Sequence, residues 1–203
     1  MRITDLLSKD GIELNVNAKD KNDIINKMTK LMLKTGRITD LNAYTELVLK
    51  REEEGSTGVG EGIAIPHGKG DCVTEPGLVA MVVPNGVEYD ALDGKPVNLL
   101  FMIAAPNTSD NVHLDVLSRL STMLMDTEFK NKLISAKSKE EFLNIINETE
   151  NEKFKEETRY TGEVKIVSSK ETKIYTNKEL NRSIINPAQI KLILSTYRDV
   201  VYT

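Results

Sequence analysis

The sequence contains a single cysteine, Cys72, in 203 residues, which leaves no possibility of a disulfide within the chain. It has no apolar stretch near the roughly 18 to 20 residues that a helix needs to cross a bilayer. Its amino terminus, MRITDLLSKDGIEL, carries acidic residues where a secretory signal would have an uninterrupted apolar segment. These absences predict a cytoplasmic protein that does not insert directly into a membrane.

An excess of basic charge is also missing. The chain has 27 Lys and Arg residues against 31 Asp and Glu residues, and its net charge of −4 gives no overall attraction to nucleic acid. The charge is divided unevenly, because residues 1–150 carry −7 and residues 151–203 carry +3. This change predicts a main domain at 1–150, followed at 151–203 by a charged linker and a C-terminal extension of unknown role.

Apolar residues recur at helical spacing in several segments of the main domain. One segment begins after Asp20 and ends before Gly36, a residue type favoured just past a helix end. A second begins after Asp40 and ends near Arg51 to Gly55. Further helices are predicted from Ser109 or Asp110 onward, at 127–135 and at 139–147.

Two short segments, 77–84 and 97–106, are continuously apolar and bounded by Pro, Gly or Asn, as strands covered on both faces are. A turn at Asp93-Gly94 lies between them. The order of helices, a few buried strands and more helices predicts an α/β fold of mixed α+β type. We expect a central mixed sheet sandwiched by helices, followed by the C-terminal extension.

The chain has only two histidines, and the first, His67, lies in the segment GVGEGIAIPHGKG. Pro66 fixes the preceding backbone, and Gly68 and Gly70 allow the main chain to approach another group closely. We therefore expect a loop that presents an imidazole. The segment alone is equally compatible with a histidine that is simply a polar surface group.

The second histidine, His113, opens the helix predicted from Ser109 or Asp110. The first turn of a helix leaves N–H groups unpaired and partially positive, so an anion placed there is stabilised. The alternative interpretation is a buried histidine that is hydrogen-bonded to a carbonyl.

Several familiar sites do not fit the sequence. Zinc needs three or four protein ligands, and the chain lacks an HExxH helix, a second cysteine and a close histidine pair. No GxSxG motif supports a serine hydrolase, although Ser56 or Ser118 could be invoked as its nucleophile. The glycine-rich stretch GSTGVGEG lacks the GK[ST] ending of a phosphate loop. A zinc or serine hydrolase remains the enzymatic alternative, and no metal, nucleotide or other cofactor is predicted.

Chemistry that needs an imidazole and an anion pocket fits what remains. A neutral imidazole nitrogen accepts a phosphoryl group near pH 7 and passes it on readily, which suits a relay. The pocket would need a fixed cation and hydrogen-bond donors. Arg51, at the end of the second predicted helix, is the best cation in the sequence.

Two segments resemble one protein family. KREEEGSTGVGEGIAIPHGKG, at 50–70, is similar to the active-site segment of the fructose/mannitol-type enzyme IIA (EIIA type-2) domains of the bacterial phosphoenolpyruvate-dependent sugar phosphotransferase system. NVHLDVLSRLS, at 111–121, resembles the family's second motif, in which a histidine opens a helix. The family also includes nitrogen-regulatory IIA proteins. The resemblance covers about residues 1–150.

The resemblance implies a phosphotransferase that works through a phosphohistidine. His67 would accept a phosphoryl group on its tele nitrogen from the phosphorylated histidine-containing carrier protein, HPr. It would pass the group to a cysteine of a IIB domain, through which the chain associates with a membrane permease for uptake of a fructose-type sugar. His113 would donate a hydrogen bond to the phosphate, and Arg51 would pair with its charge. Thr57 could donate a hydroxyl, and Glu61 could orient a ring or contact the carrier.

One point remains open within this family. A regulatory IIA protein, whose phosphorylation state controls partner binding, is the alternative to a transport component.

Cys72 lacks the C-P-T-G setting of the IIB acceptor cysteine and is interpreted as a small apolar filler. The segment VKIVSSKETK, at 164–173, begins like a IIB strand but lacks the cysteine loop that should follow. We therefore expect no phosphoryl acceptor for His67 within this chain.

Overall fold

A computed structural model of the chain describes residues 2–108 and 112–153, without the side chains of Val112, His113 and Asp115. The chain divides into two units, residues 1–147 and 148–203. Most of the predicted linker and extension, at 154–203, lies outside the described residues, and the boundary at 150 stays a prediction.

Six helices lie in the described ranges, and two of the longer ones begin after a capping aspartate. The Asp20 side chain accepts from the backbone N–H of Asp23, and the Asp40 side chain accepts from that of Ala43. Each aspartate therefore caps the helix predicted to follow it. The helices are α1 (Ile3–Leu6), α2 (Lys21–Lys34), α3 (Leu41–Glu53), α4 (Val112–Leu124), α5 (Thr127–Ser135) and α6 (Lys139–Lys153).

Six strands form one mixed sheet in the described ranges. They are β1 (Leu7–Glu13), β2 (Gly58–Gly60), β3 (Ile63–Ala64), β4 (His67–Gly70), β5 (Gly77–Val87) and β6 (Val97–Pro106). Their order in the sheet is β1-β5-β6-β3-β2, and β4 pairs with β6 off this path. The pairs β1–β5, β3–β6 and β4–β6 are parallel, and the pairs β5–β6 and β2–β3 are antiparallel.

Helices cover both faces of this sheet. Alternate residues of β5, such as Val79 and Met81, share one buried cluster with α2 and α3. On the opposite face, the Phe101 ring of β6 lies 6.1 Å from the Phe142 ring of α6, measured between centroids. The predicted α/β fold, with a mixed sheet between helices, is confirmed. None of the helices in the described ranges combines the length and apolar content that crossing a bilayer demands.

Helix α3 packs closely on the short strand β4, and glycine permits this approach. A Cβ built on Gly68 would lie 3.0 Å from Cε2 of Tyr44 and 3.1 Å from Cγ2 of Val48. The Tyr44 hydroxyl, in turn, donates a 2.9 Å hydrogen bond to the Ile103 carbonyl of β6. The helix is therefore fixed against the strand that begins at His67.

Candidate functional site

His67 is the first residue of β4 and pairs in register with Ile103 of β6. The prediction of a loop is wrong from this residue onward, because residues 67–70 form a parallel strand. Their side-chain pattern is too short and too rich in glycine to indicate a strand from sequence. The His67 side chain is half-buried.

The backbone defines the protonation of the His67 ring. Nδ1 lies 3.0 Å from the carbonyl oxygen of Ile65. A carbonyl can only accept, so the proton of this hydrogen bond belongs to Nδ1. In the neutral ring, Nε2 then carries the lone pair, which makes it the nucleophilic nitrogen. Nε2 is itself buried.

The neighbours of His67 on either side contact α3 and the segment that follows it. Gly68 lies against Val48 of this helix. On the other side of His67, the Ile65 N–H donates to the Thr57 carbonyl at 3.1 Å, and Thr57 is bound to Glu52 at the helix end. The strand segment thus follows α3 toward its C-terminus, which carries Arg51.

Arg51 keeps most of its hydrogen-bonding capacity. One guanidinium nitrogen, Nη1, donates to the Gly55 carbonyl at 3.1 Å. No other acceptor among the described residues binds the guanidinium, and its Nε is buried without a hydrogen-bond partner in that part of the chain. A fixed guanidinium with spare donors is suited to pair with a phosphoryl group.

Thr57 is buried, with 4% of its surface exposed, and its hydroxyl donates to Oε1 of Glu52. Its backbone N–H donates to Oε2 of the same carboxylate at 3.2 Å. A hydroxyl has one proton, so Thr57 has none left for a phosphate while this bond persists. Its role as a phosphate donor stays a prediction that requires the bond to be exchanged.

Glu52 was not predicted from the sequence as a site residue. Only 8% of its surface is exposed, whereas Glu53 and Glu54 are exposed. The run REEEG looks like a solvated charged segment, and nothing in its composition distinguishes the one carboxylate that points inward. The one signal available in the sequence is helical spacing, because position 52 lies on the same helix face as Tyr44 and Val48.

Glu61 occupies the turn between β2 and β3 in the left-handed region, at φ 53°. Its N–H donates to Oδ2 of Asp93 at 2.9 Å, and its carboxylate pairs at 2.7 Å with Nζ of Lys130, a buried lysine of α5. The described contacts of Glu61 therefore fix this turn. Its predicted role in orienting a ring or contacting a carrier stays a prediction.

His113 is the second residue of α4, close to where the sequence placed the helix start. Its side chain lies outside the described part of the structure, so its predicted role as a phosphate donor stays a prediction. Helix α4 begins six residues after the end of β6, the central strand on which His67 is paired. The helix start expected at Ser109 or Asp110 falls on undescribed residues.

Cys72 is half-buried beside the α2–α3 cluster. Burial raises the pKa of its thiol, so the uncharged form is favoured. The described ranges contain no group of three or more His, Cys, Asp and Glu residues that could hold a metal ion.

Comparison with known proteins gives one consistent result. A model of the family described as "Phosphoenolpyruvate-dependent sugar phosphotransferase system, EIIA 2" matches residues 5–149. A fructose-specific EIIABC component from Bacillus subtilis is 45% identical over 148 residues, covering 73% of this chain. The chain spans only 23% of that relative's length. A mannitol-specific enzyme IIA component from Staphylococcus aureus is 34% identical, covering 73% of this chain and 99% of its own length.

Solved structures agree with the sequence relatives. The nitrogen regulatory protein IIA-Ntr from Neisseria meningitidis has a TM-score of 0.66 and 30% identity, covering 70% of this chain and 97% of its own. A complex of enzyme IIA-Mtl with phosphorylated enzyme IIB-Mtl from Escherichia coli gives a TM-score of 0.62 at 28% identity, covering 70% of this chain and 99% of that one.

Proposed function

This chain belongs to the EIIA type-2 family of the phosphoenolpyruvate-dependent sugar phosphotransferase system, and we propose that His67 carries its phosphoryl group. The observation that carries the proposal is the hydrogen bond from Nδ1 of His67 to the Ile65 carbonyl. It keeps the proton on Nδ1 and the lone pair on Nε2. Phosphohistidine HPr is the proposed donor, and a cysteine of a IIB domain is the proposed acceptor.

The transfer is a pair of nucleophilic displacements at phosphorus. In the first, the Nε2 lone pair forms a bond to phosphorus while the P–N bond of phospho-HPr breaks, and the bonding electrons leave with the HPr nitrogen. In the second, a IIB thiolate attacks the same phosphorus, and the electron pair returns to Nε2. Nδ1 keeps its proton throughout, since the Ile65 carbonyl holds it.

Arg51 supplies the positive charge that the proposal needs. A phosphorylated side chain carries about two negative charges near neutral pH. The guanidinium spends one N–H on Gly55 and keeps further donors. One cation stabilises the phosphoryl group enough to bind it, but leaves it available for onward transfer.

Access to the nucleophile requires local movement. The His67 ring is half-buried, and Nε2 is covered in the unphosphorylated chain. A shift of the covering side chains exposes Nε2 when the donor docks, while the Nδ1 hydrogen bond stays in place. Such rearrangements on docking are common in transient complexes.

Several relatives support the transport role. The B. subtilis relative is named as fructose-specific, and the E. coli IIA-Mtl was solved in complex with phosphorylated IIB-Mtl. By this likeness, the chain is proposed to hand its phosphoryl group to a IIB domain that serves uptake of a fructose-type sugar. The associated permease is reached through IIB.

The central experiment combines the chain with phosphoenolpyruvate, enzyme I and HPr, and maps the modified residue. Acid-labile, base-stable labelling of His67 is expected, as phosphohistidine chemistry requires. His67→Ala should abolish the label, and His113→Ala, which removes the other histidine, should retain part of it. Labelling that persists in His67→Ala would place the acceptor elsewhere and overturn the proposal.

A regulatory role is the second candidate, and the structural likeness to the N. meningitidis nitrogen regulatory protein favours it. A transport component must deliver its phosphoryl group to IIB, whereas a regulator need not. Rapid loss of the label to purified cognate IIB supports transport. A label that survives IIB, while changing the binding of another protein, supports regulation.

A further inference from the structure

The most completely bonded carboxylate of the described site belongs to Glu52. Its Oε1 accepts from the Thr57 and Tyr89 hydroxyls, and its Oε2 accepts from the Thr57 N–H and pairs with Lys21 Nζ at 2.9 Å. The Tyr89 bond is 3.1 Å long. Burying a carboxylate is costly unless donors surround it, and here four donors do. Three hydrogen bonds and one ion pair therefore fix the Glu52 carboxylate near the C-terminal end of α3.

The donors around Glu52 come from separate parts of the chain. Lys21 is the first residue of α2, Thr57 precedes β2, and Tyr89 follows β5. Lys21 Nζ also lies 5.0 Å from the centroid of the Tyr89 ring. Burial, followed by the nearby Glu52 charge, raises the pKa of Tyr89 well above its usual value. The phenol therefore stays protonated and remains a donor at physiological pH.

A continuous path of hydrogen bonds leads from this carboxylate to the His67 ring. Glu52 binds both the N–H and the hydroxyl of Thr57. The Thr57 carbonyl accepts from the Ile65 N–H at 3.1 Å. The carbonyl of the same Ile65 accepts from Nδ1 of His67 at 3.0 Å. The position of the acceptor that defines the ring tautomer thus depends on Thr57.

We propose that Glu52 is a positioning residue for His67: by fixing Thr57 and, through it, Ile65, it holds the carbonyl that keeps the Nδ1 proton and the Nε2 lone pair in place. This inference rests on the proposed role of His67 for its effect on transfer. It does not require Glu52 to touch the phosphoryl group. Loss of the carboxylate releases Thr57 and allows the Ile65 carbonyl to shift away from Nδ1.

The first test measures the tautomer directly in the unphosphorylated chain. ¹⁵N chemical shifts of the His67 ring separate a protonated from an unprotonated nitrogen. The wild type should show protonated Nδ1 and unprotonated Nε2 when the ring is neutral. Glu52→Gln should give a mixture with protonated Nε2, because an amide presents N–H groups to the donors around it. Glu53→Gln changes the same charge at an exposed neighbour and should keep the wild-type shifts.

The second test separates positioning from docking. In steady-state transfer from phospho-HPr, Glu52→Gln should lower kcat on the order of 10- to 100-fold, the range expected when a nucleophile is misplaced. KM for phospho-HPr should stay at the wild-type value, since Glu52 is buried and contributes no docking surface. Wild-type ring shifts together with a wild-type kcat in folded Glu52→Gln would overturn the inference.

A milder pair of variants guards against a Glu52→Gln chain that does not fold. Thr57→Val keeps the shape of the side chain but removes the hydroxyl that donates to Glu52, and Thr57→Ser keeps that hydroxyl. Thr57→Val should shift the tautomer, and Thr57→Ser should restore it. Equal ring shifts in both variants would overturn the inference. The measurement precedes phosphorylation, so direct donation from Thr57 to a phosphate does not affect it.

Failure of the proposed function has a different signature. If wild-type chain takes no label on His67 while the tautomer still depends on Glu52, the phosphoryl proposal is wrong and the positioning contact stands. If wild type is labelled on His67 and the ring tautomer is the same in wild type and Glu52→Gln, the positioning inference is wrong and the phosphoryl proposal stands.

Discussion

At the residue scale, the two nitrogens of the His67 ring differ in their protonation. Nδ1 is committed to a backbone carbonyl, and Nε2 carries the lone pair. The acceptor is a backbone carbonyl, which no substitution deletes, but its position depends on Thr57 and Glu52. Variants can therefore differ in the tautomer of the ring and in the positive charge available to the phosphoryl group.

Substitutions of Arg51 test how far its positive charge contributes to phosphoryl transfer. Arg51→Met should slow phosphoryl acceptance by His67 on the order of 100-fold, because it removes a fixed donor and the only cation assigned to the pocket. Arg51→Lys should recover part of the rate, since it restores charge but not the planar fork. Quenched-flow measurement of label transfer from phospho-HPr gives both rates. Equal rates in wild type and Arg51→Met would remove Arg51 from the site.

His113 is expected to act later in the relay. His113→Ala should leave some phosphorylation of His67 but slow onward transfer to IIB by about one to two orders of magnitude, the usual effect of losing one organised donor. The half-life of purified labelled variant in the presence of IIB measures this step. Wild-type onward transfer would reduce His113 to a scaffolding residue.

Sequence reasoning at this scale singles out residues whose local setting is distinctive. His67, between a proline and two glycines, and Arg51, at a helix end, have such settings. Glu52 does not, because its burial depends on Lys21 and Tyr89, which are distant in the chain. The proton position on His67 likewise depends on a carbonyl oriented by tertiary contacts. The hydrogen-bond partners of Glu52 and the proton position on His67 follow from the folded chain and could not be predicted from the sequence, although helical spacing indicates which face of α3 carries Glu52.

At the element scale, the contact between α3 and β4 fixes the position of the strand that begins at His67. Gly68→Ala should destabilise the chain by about 1 to 3 kcal/mol, because its Cβ meets Tyr44 and Val48 at 3.0 and 3.1 Å in a packed region. Tyr44 is hydrogen-bonded to Ile103 and has little freedom to move. Denaturant unfolding measures the loss.

Gly70→Ala is the matched control for this contact. Its Cβ would overlap Cδ1 of Leu47, the end of a partly buried, flexible side chain that can rotate away. It should therefore cost less than Gly68→Ala. A larger loss for Gly70→Ala would mean that the α3–β4 contact is not limited by Tyr44 and Val48.

Asp93 stabilises the turn between β2 and β3 in a pH-dependent way. Hydrogen bonds from the backbone N–H groups of Glu61 and then Lys95 lower the pKa of its carboxyl below the ordinary aspartate value of 3.8. A lowered folded-state pKa contributes stability that is fully present above 3.8 and is lost as pH falls through the folded value. Wild type should therefore lose its advantage over Asp93→Asn as the solution is acidified.

The comparison of unfolding free energies for wild type and Asp93→Asn, from neutral pH to below the ordinary aspartate pKa, checks this sign. The difference should shrink on acidification. Glu53→Gln, which neutralises an exposed carboxylate of α3, is the control for net charge. A difference that grows as pH falls would contradict the assignment.

The longer elements were predictable because their periodicity extends over several turns or pleats. Asp20 and Asp40 cap α2 and α3 as expected, and the apolar runs became β5 and β6. The strands β2, β3 and β4 have two to four residues each, many of them glycine. β3 and β4 become strands because they pair with β6, and β2 because it pairs with β3, which are properties of the assembled sheet.

At the scale of the whole molecule, the net charge of residues 1–150 is expected to affect how fast a carrier protein docks. Residues 1–150 carry a net charge of −7, so a carrier with a basic contact patch is attracted before it docks. Salt screens this attraction, since the Debye length falls to about 8 Å at physiological ionic strength. The second-order rate of transfer from phospho-HPr should therefore fall as salt is added, while the rate within the complex stays constant.

Phosphoramidate, a small anionic phosphoryl donor, provides the control for this prediction. An acidic domain repels an anion, so added salt should leave its reaction with His67 unchanged or make it slightly faster. Opposite salt dependences for the two donors would assign the effect to encounter rather than to the chemistry at Nε2. A phospho-HPr rate that does not respond to salt would mean that the negative charge of residues 1–150 has no part in recruiting the carrier.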